Sequence, residues 1–579
     1  MIRRDPRIPC LDIGQLPSVI GSGTPGGKGR GLGFANSMLD TRLREELFHP
    51  HRLIVPDTTV IGTDAFEEFV DRHELHSCLD MTDDEHVKQA FLSCPLPEWL
   101  TRELRGYLEK VREPIAVRSS SLNEDAYNHP FAGLFMTLFL PNCHPDVDVR
   151  LRQLDTAVRM VYSSTYYQAP KSYMARNMIP VDAEKMAIVL QRVVGVSHGN
   201  RFYPDLAGVA QGRNYFAIRT QKAEDGIAFI VVGLGKQVVD GYESMRFCPA
   251  SPLVRPHFTV TSDVLKNTQK RFTALNLQAA NCPLISGSEE TLSTHELDIA
   301  LADGVLHPFA STYNPQDRTI VEGTLSDGLR IASFNRVLRG EVFPLPKMLS
   351  ELLVRLEKHL QAPVDMEFAV LLDRDGPRYQ ADFYLLQVRP LVAPSGEKQI
   401  QLPDVGDDRL IVRSHQAMGH GARRGIQDLV FIPPGALNKN QQGDIIRAIA
   451  DINAGLNSEQ RQFALLGPGR WGSSNPQLGI PVTYSQISQA VVIAELNTHS
   501  FSVMPSQGTH FFHNITSGNI FYLSVDTAGG DVLNLGLIDR LPLKKSVGPV
   551  RHHVVPEGLR AVTDGASRTG LIFLPAAGQ

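Results

Sequence analysis

Cysteine, tryptophan and long apolar runs are the scarce features of this 579-residue chain. Its six cysteines (Cys10, Cys78, Cys94, Cys143, Cys248 and Cys282) are widely separated, form no CxxC pair and are missing from the last half. That spacing argues against a zinc site or a disulfide framework and predicts reduced, mostly packed thiols. No uninterrupted apolar stretch approaches the ~20 residues that a membrane-crossing helix needs, and the start MIRRDPRIPCLDIG lacks a secretory apolar region. A cytoplasmic protein without a membrane partner is expected. A basic excess is absent as well: 57 Lys and Arg stand against 62 Asp and Glu, a net charge of -5, so nucleic acid is not an expected partner. What remains is an ordinary globular composition, 42% hydrophobic and 21% charged. Its length exceeds the ~250–300 residues at which a single core stops growing, so several domains or subdomains are expected.

The first 395 residues alternate strand-like and helix-like stretches, the pattern of an α/β or α+β domain. LIVPDTTVI precedes TDAFEEFVDRHEL, where Thr63 or Asp64 is placed to cap a helix. Leu100, Leu104, Leu108 and Val111 fall at helical spacing before IAVRSSS, a short buried strand that delivers Arg118 to its end. Residues 396–408, rich in Pro, Gly and charge, read as a linker. The remainder, 409–579, carries LIVR, LVFI, AVVIAEL, NIFYLSV and GLIFL between glycine-rich turns and predicts a second, smaller α/β domain.

Three segments of the larger part carry chemistry. The first is the glycine-rich run Gly21 to Gly31, which includes Gly27 and Lys28 and leads into a helical face of Leu32, Ala35, Leu39 and Leu43. Free backbone N–H groups, a helix dipole and a mobile cation suit phosphate, although the same run reads equally as a flexible loop. It is not a P-loop, because Ser22 and Gly29 stand where that motif needs Gly and Ser or Thr. The second, Arg118-Ser119-Ser120-Ser121-Leu-Asn-Glu124-Asp125, can fork onto phosphate oxygens or form a capped turn. The third is a hairpin, 364–372 with 384–392, in which Asp365 and Glu367 share a face, as do Gln387 and Arg389. Carboxylate and amide oxygens there suit Mg²⁺ and Arg389 suits a transferring phosphoryl; a solvated outer face is the other reading.

Together GGKGRGLGFANSML, VPDTTVIGTDAFEEF, IAVRSSSLNEDAYNHPFAGLFMT, MAIVLQRVV and DMEFAV with LLQVRP resemble, in order, the N-terminal nucleotide-binding domain of pyruvate phosphate dikinases and phosphoenolpyruvate synthases over residues 15–395. The resemblance implies an ATP-grasp fold using ATP and Mg²⁺. It implies Lys28 and Arg118 on the nucleotide phosphates, Glu367 and Gln387 on the metal, Arg389 on the transition state and Asp365 in support. Gly27, Ser119 and Glu124 belong to the matching segments and, with Asp365, are expected beside the nucleotide. Two departures stand out. Lys236 occupies the place of a common family carboxylate in Gly233-Leu-Gly-Lys236, and no GG-TSHAA phosphohistidine segment occurs.

The C-terminal part offers Met418 to Gly425 with His420, Gly467 to Ser474 with Arg470 and Trp471, and Pro505 to Asn514 with His510 and His513. Each suits an anion or substrate site. Thr509-His510 carries the strongest candidate phosphate carrier, with His420 next, since an imidazole can divide one hard transfer into two. The expectation is a phosphotransferase that moves phosphate from ATP to a small-molecule acceptor. A non-catalytic ATP-sensing module and an ATP-grasp ligase are the alternatives, and a homo-oligomer stays open.

Overall fold

The computed structural model describes residues 18–38, 48–125, 131–255, 261–285, 287, 290–374, 379–391, 400–437, 441–498, 502–518 and 520–576. Up to residue 391, eleven strands form the two sheets that matter for function. They are β1 (Val19–Ile20), β2 (Arg52–Ile54), β3 (Thr58–Ile61), β4 (Ile115–Ser121), β5 (Thr137–Leu140), β6 (Met186–Arg192), β7 (Leu206–Gln211), β8 (Ile227–Val231), β9 (Met245–Phe247), β10 (Val364–Asp373) and β11 (Gln380–Pro390). The first sheet runs β1-β3-β6-β4-β5 and the second β9-β8-β7-β10-β11-β2. Helix α1 (Gly26–Met38) packs against strands of both sheets, touching β4, β6 and β11.

The local rules of the sequence account for much of this. Helix α2 (Glu98–Lys110) buries Leu100, Leu104 and Leu108, one stripe at four-residue spacing. The β10–β11 hairpin sets Asp365 opposite Arg389 and Glu367 opposite Gln387, with a bulge just after Glu367. Arg118 lies in the middle of β4 and not at its end. The expected cap at Thr63 or Asp64 is corrected: Gly62 is the N-cap residue of the helix Thr63–Arg72 and offers no side chain. Thr63 Oγ1 instead accepts from Thr24 N (3.1 Å), and Asp64 Oδ2 accepts from Ser22 N (2.8 Å), which ties down the turn that enters α1.

After residue 409, β12 (Leu410–Ser414), β13 (Gln416–Met418), β14 (Gly421–Phe431), β15 (Phe463–Pro468), β16 (Ala490–Asn497), β17 (Phe521–Asp526), β18 (Val532–Leu533), β19 (Leu543–Val547), β20 (Val550–Asp564) and β21 (Thr569–Phe573) form one mixed sheet. Strands β14 to β17 are mutually parallel, and β15 and β16 are fully buried, which is why they read as continuous apolar runs. The crossover between β14 and β15 contains helix α3 (Gln442–Ser458), whose Ile445, Ile449, Ile452 and Leu456 face the core. Of the expected linker, 396–399 lies outside the described residues. Ile400, Leu402 and Val405 pack with Leu410, Val562 and Phe573 at the edge of this sheet.

A continuous apolar core joins the first sheet to the third. Tyr173 meets Tyr484 with ring centroids 5.4 Å apart, and Phe216 meets Phe512 (5.8 Å) and Tyr522 (5.6 Å). Close packing of this kind fixes the C-terminal sheet against the N-terminal ones. Cys78 and Cys248 are packed thiols as expected, but Cys143 and Cys282 are exposed; all described cysteines are free, and Cys10 lies outside the described residues. Among the described residues no helix is long and apolar enough to cross a membrane.

Candidate functional site

The glycine-rich run is not an open loop. Helix α1 begins at Gly26, so Lys28 sits in its first turn, and the N–H groups of Gly26 and Gly29 are taken by Thr24 Oγ1 (3.2 Å) and Ser120 Oγ (3.0 Å). The glycines serve close approach: a Cβ on Gly27 would lie 1.4 Å from the Glu124 carbonyl oxygen, and one on Gly31 would lie 2.3 Å from that of Val388. Of the expected apolar face, Leu39 and Leu43 lie outside the described residues. This tight seating aims Lys28 at a buried cluster, where its ammonium donates to Ser119 O and Ser119 Oγ (both 3.1 Å) and pairs with Glu124. Glu124 also accepts from Ser121 N (3.2 Å) while donating its own N–H to Ser121 Oγ (3.1 Å), so the segment is a capped turn and a cation clamp at once. Burial pushes the Glu124 carboxyl up, against the pull of Lys28.

Arg118 spans the two sheets. Its Nη1 donates to Gln191 Oε1 on β6 (2.9 Å), and its Nη2 donates to Glu367 Oε2 on β10 (2.7 Å) and to Gln387 Oε1 on β11. Arg389 is held from two sides, by Asp125 Oδ1 (3.2 Å) and Asp365 Oδ1 (3.6 Å), and Gln387 donates to Asp125 Oδ2 (2.5 Å). Asp125 adopts the left-handed φ of 59°, a conformation that aspartate tolerates better than most residues. Burial disfavours the charge on Asp365, but Arg389, His513 and Gln211 prevail and hold its carboxyl below the usual range. Arg389 stays firmly protonated, because Asp365, Asp125 and Glu367 outweigh its own desolvation.

The last wall comes from the C-terminal part. Helix α4 (Lys236–Val239), on the N-terminal side, precedes a turn at Asp240–Gly241, and helix α5 (His510–Ser517) enters from the third sheet. Thr509 caps α5 by accepting from Phe512 N (3.1 Å). Gln507 Nε2 donates to Gln211 Oε1 (3.1 Å) and Arg213 O (2.8 Å), and Asn514 Nδ2 donates to Ala132 O (2.7 Å). With α5 so fixed, His510 rests against Gly133, where an added Cβ would come within 2.5 Å of its Nδ1. One helical turn on, His513 Nδ1 lies 3.6 Å from Asp365 Oδ2. Desolvation, aided by Arg389, Lys28 and Lys236, holds the His510 imidazole well below its ordinary pKa and therefore neutral.

These groups surround a cavity of about 230 Å³ between the first two sheets. Lys28, Arg118, Glu124, Glu367, Gln387, Arg389 and His510 all line it, together with Gln191, Lys236 and Asp240. Most of its other lining is apolar: two residues back along β4 from Arg118 stands Ala116, across from it on β5 is Phe139, and Val193 and Val194 follow β6. Charged groups near the middle of β4 and an apolar region toward its start make a cavity suited to a ligand with a polyanionic end and a flat apolar end. Gly27, Ser119 and Asp365, expected beside a nucleotide, do not line it. Each stands one layer behind, seating α1, accepting from Lys28 or gripping Arg389. Gln191 and Gln211 were not singled out from sequence, and Asp125 stood as the last carboxylate of its segment without the role of holding Arg389; the quoted segments MAIVLQRVV and IAVRSSSLNEDAYNHPFAGLFMT, which contain Gln191, Asp125 and Gly133, offered the signal.

The other two C-terminal motifs do not reach the cavity. His420 sits 3.6 Å from Asp564. Arg470 is buried, with Nε donating to Met504 O (2.7 Å) and Nη1 to Gly241 O (3.0 Å), and Trp471 Nε1 donates to Ala494 O (3.1 Å). Engaged by carbonyls, the guanidinium is no anion site. It fastens the turn after α4 to the chain leading into α5.

Among the described residues no group of three or more His, Cys, Asp or Glu side chains could hold a metal by itself. Mg²⁺ bound with a nucleotide needs fewer, taking one or two protein oxygens and completing its shell with water and phosphate. Glu367 Oε2 and Gln387 Oε1 fit that demand, since both already converge on the single cationic nitrogen Arg118 Nη2.

Residues 23–406 match the family described as pyruvate phosphate dikinase, AMP/ATP-binding domain. The chain is also 25% identical over 194 residues to an uncharacterized phosphotransferase, YvkC, of Bacillus subtilis (strain 168). That stretch is 33% of this chain and 21% of the relative, so most of the relative's length has no counterpart in the match.

Proposed function

Since this chain belongs to the family of the pyruvate phosphate dikinase AMP/ATP-binding domain, we propose that it is a Mg-ATP-dependent phosphotransferase that passes phosphate through His510 to a small-molecule acceptor. The observation that carries this is the entry of a neutral histidine, on a helix from beyond residue 409, into the same cavity as Lys28, Arg118 and Arg389. The apolar region by Ala116, Phe139 and Val193 takes the base, and the cationic region takes the triphosphate. Lys28 and Arg118 bind phosphate oxygens, while Arg389 meets charge on the transferring group. Glu367 and Gln387 would hold Mg²⁺, which when bound neutralises triphosphate charge.

A ring nitrogen of His510 attacks phosphorus. The N–P bond forms as the bond to the bridging oxygen breaks, and the nucleotide departs with that electron pair. In the second half, an acceptor oxygen takes the phosphoryl group and loses its proton, and the imidazole is regenerated. Low basicity serves the first half, since the lone pair stays free at neutral pH. We place the functional division of the chain at 396–408, with the nucleotide held by 1–395 and the histidine supplied by 409–579.

The test is incubation with β- and γ-labelled ATP, followed by a search for acid-labile label on the protein. Label on wild type that disappears in His510→Ala supports the pathway. Unlabelled wild type sinks the histidine step. An enzyme that never cleaves ATP, and whose properties survive Arg389→Ala unchanged, sinks phosphotransfer altogether. The released nucleotide separates a dikinase-like reaction, giving AMP, from a simple kinase, giving ADP.

One observation favours a second reading, nucleotide sensing without turnover. Lys28, Arg118 and Arg389 are each ion-paired to carboxylates of the wall itself, which balances their charge. Tight binding of ATP with no consumption would establish that reading.

A further inference from the structure

The cations on the cavity wall differ in how firmly they are held. Lys28 pairs with Glu124, and Arg389 with Asp125 and Asp365, and every one of these side chains is at most a tenth exposed. Arg118 joins Glu367 across the sheets, itself a tenth exposed. Removing any of these from its partner leaves a buried charge uncompensated, which is costly. Lys236 is different. Its side chain is 34% exposed, and its partner is Asp240, 25% exposed, 2.7 Å away at the residue that caps the end of the same short helix. Such half-solvated i,i+4 pairs are weak and easily exchanged. The other exposed cation of the wall, Arg192, belongs to the apolar region beside Val193 and turns toward Asp57 and Glu113.

The backbone that carries Lys236 is fixed although its ammonium is not. Gln237 Nε2 donates to Arg271 O (2.9 Å) and its Oε1 accepts from Gln269 Nε2 (3.2 Å). On the far side, Ser473 Oγ (2.7 Å) and Arg470 Nη1 (3.0 Å) donate to Gly241 O, and Ser474 N donates to Asp240 O (2.9 Å). A loosely paired cation on a clamped stem, sharing a cavity with His510, is built to change partners without moving the chain. Its positive field already acts on the imidazole.

We propose that Lys236 is a catalytic cation that leaves Asp240 to grip the terminal phosphoryl group of the nucleotide as it lines up with His510. Asp240 holds the ammonium in waiting and competes with the phosphate for it. The proposal rests on nucleotide binding in this cavity as described above, and not on the histidine step. It makes Lys236 selective for the phosphate farthest from the base. Lys28, Arg118 and Arg389 form the permanent cradle.

The experiment is a binding ladder by calorimetry in Mg²⁺, with AMP, ADP and a non-hydrolysable ATP analogue against wild type, Lys236→Met and Asp240→Asn. Lys236→Met is expected to weaken the ATP analogue about tenfold while AMP stays within twofold. Asp240→Asn, which removes the competitor, is expected to tighten the analogue severalfold. If Lys236→Met weakens all three ligands alike, or none of them, Lys236 is not the terminal-phosphate cation. If Asp240→Asn weakens the analogue as much as Lys236→Met does, the exchange is wrong, and the pair merely supports the wall. Wild type that binds no nucleotide overturns the proposed function and this inference together. Wild type that binds the ladder but accepts no label overturns only the histidine step.

Discussion

Two kinds of wall meet at the cavity. The strand-borne wall, Arg118 with Glu367, Gln387 and Arg389, is buried, multiply paired and built on adjacent strands of two sheets. The inserted wall, α5 with His510, hangs on a cap, two amide side chains and aromatic packing from a sheet whose strands all lie beyond residue 409. The first is rigid because each charge answers another. The second is placed by side chains that flank His510, so the imidazole itself is not what holds the helix. In this arrangement one part of the site holds charge in place while the other brings an uncharged imidazole to the same cavity.

The comparison is sharpened by disabling each wall in turn. His510→Ala should cut transfer of label roughly a thousandfold or more, as removal of a nucleophile does, with stability nearly unchanged in a denaturant titration. Arg389→Ala should do the reverse in kind. It strands Asp125 and Asp365 as buried anions and should cost about 3–5 kcal/mol of unfolding free energy in the same titration, along with activity. Equal stability losses in the two variants would break the distinction.

A subtler probe is Gly133→Ala. Gly133 has φ +63°, where an L residue costs about 1–2 kcal/mol, and the new methyl would press on His510 Nδ1. Label uptake should fall while the affinity for AMP, which the inserted wall does not govern, stays level. Thr509→Ala should cost about 1 kcal/mol by loss of the α5 cap, and should slow labelling without altering nucleotide binding. The smallest effect concerns pH. Because the folded pKa of His510 is depressed, its imidazole stays neutral as pH falls below 6.5, so the acid limb of labelling should lie below that value. By linkage, the stability tied to this group is complete above its unfolded pKa and declines as pH drops through and below it. A labelling profile with its midpoint above 6.5 would contradict the desolvated site.

The two walls also differ in how far a reader of the sequence can see them. Asp365, Glu367, Gln387 and Arg389 lie where two-residue alternation puts them, because the facing residues of a hairpin are set by local geometry. The helix with Leu100, Leu104 and Leu108 was legible for the same reason. What escaped were contacts between distant segments. Gly27 was read as part of a flexible cradle, whereas packing against the Glu124 carbonyl is what demands a glycine there. Ser119 and Asp365 look like ligand groups in one dimension and turn out to stand behind Lys28 and Arg389. Gly467 to Ser474, with its arginine and indole, suggested an anion site, but the backbone of Gly241 and Met504 claims the arginine. Periodicity says which face a residue occupies and nothing about which remote carbonyl will meet it.

The scarcity of tryptophan has an optical consequence. Of the two indoles, Trp99 is only partly buried beside Glu68, whereas Trp471 is sealed in the interior next to Gly472, where an added Cβ would come within 2.2 Å of the ring of Phe511 on α5. With Trp99 replaced by phenylalanine, the remaining emission would come from a dry chromophore one residue from the close approach to the segment that delivers the histidine. A red shift on adding nucleotide would then report, in real time and without any label, the moment at which that segment lets solvent in.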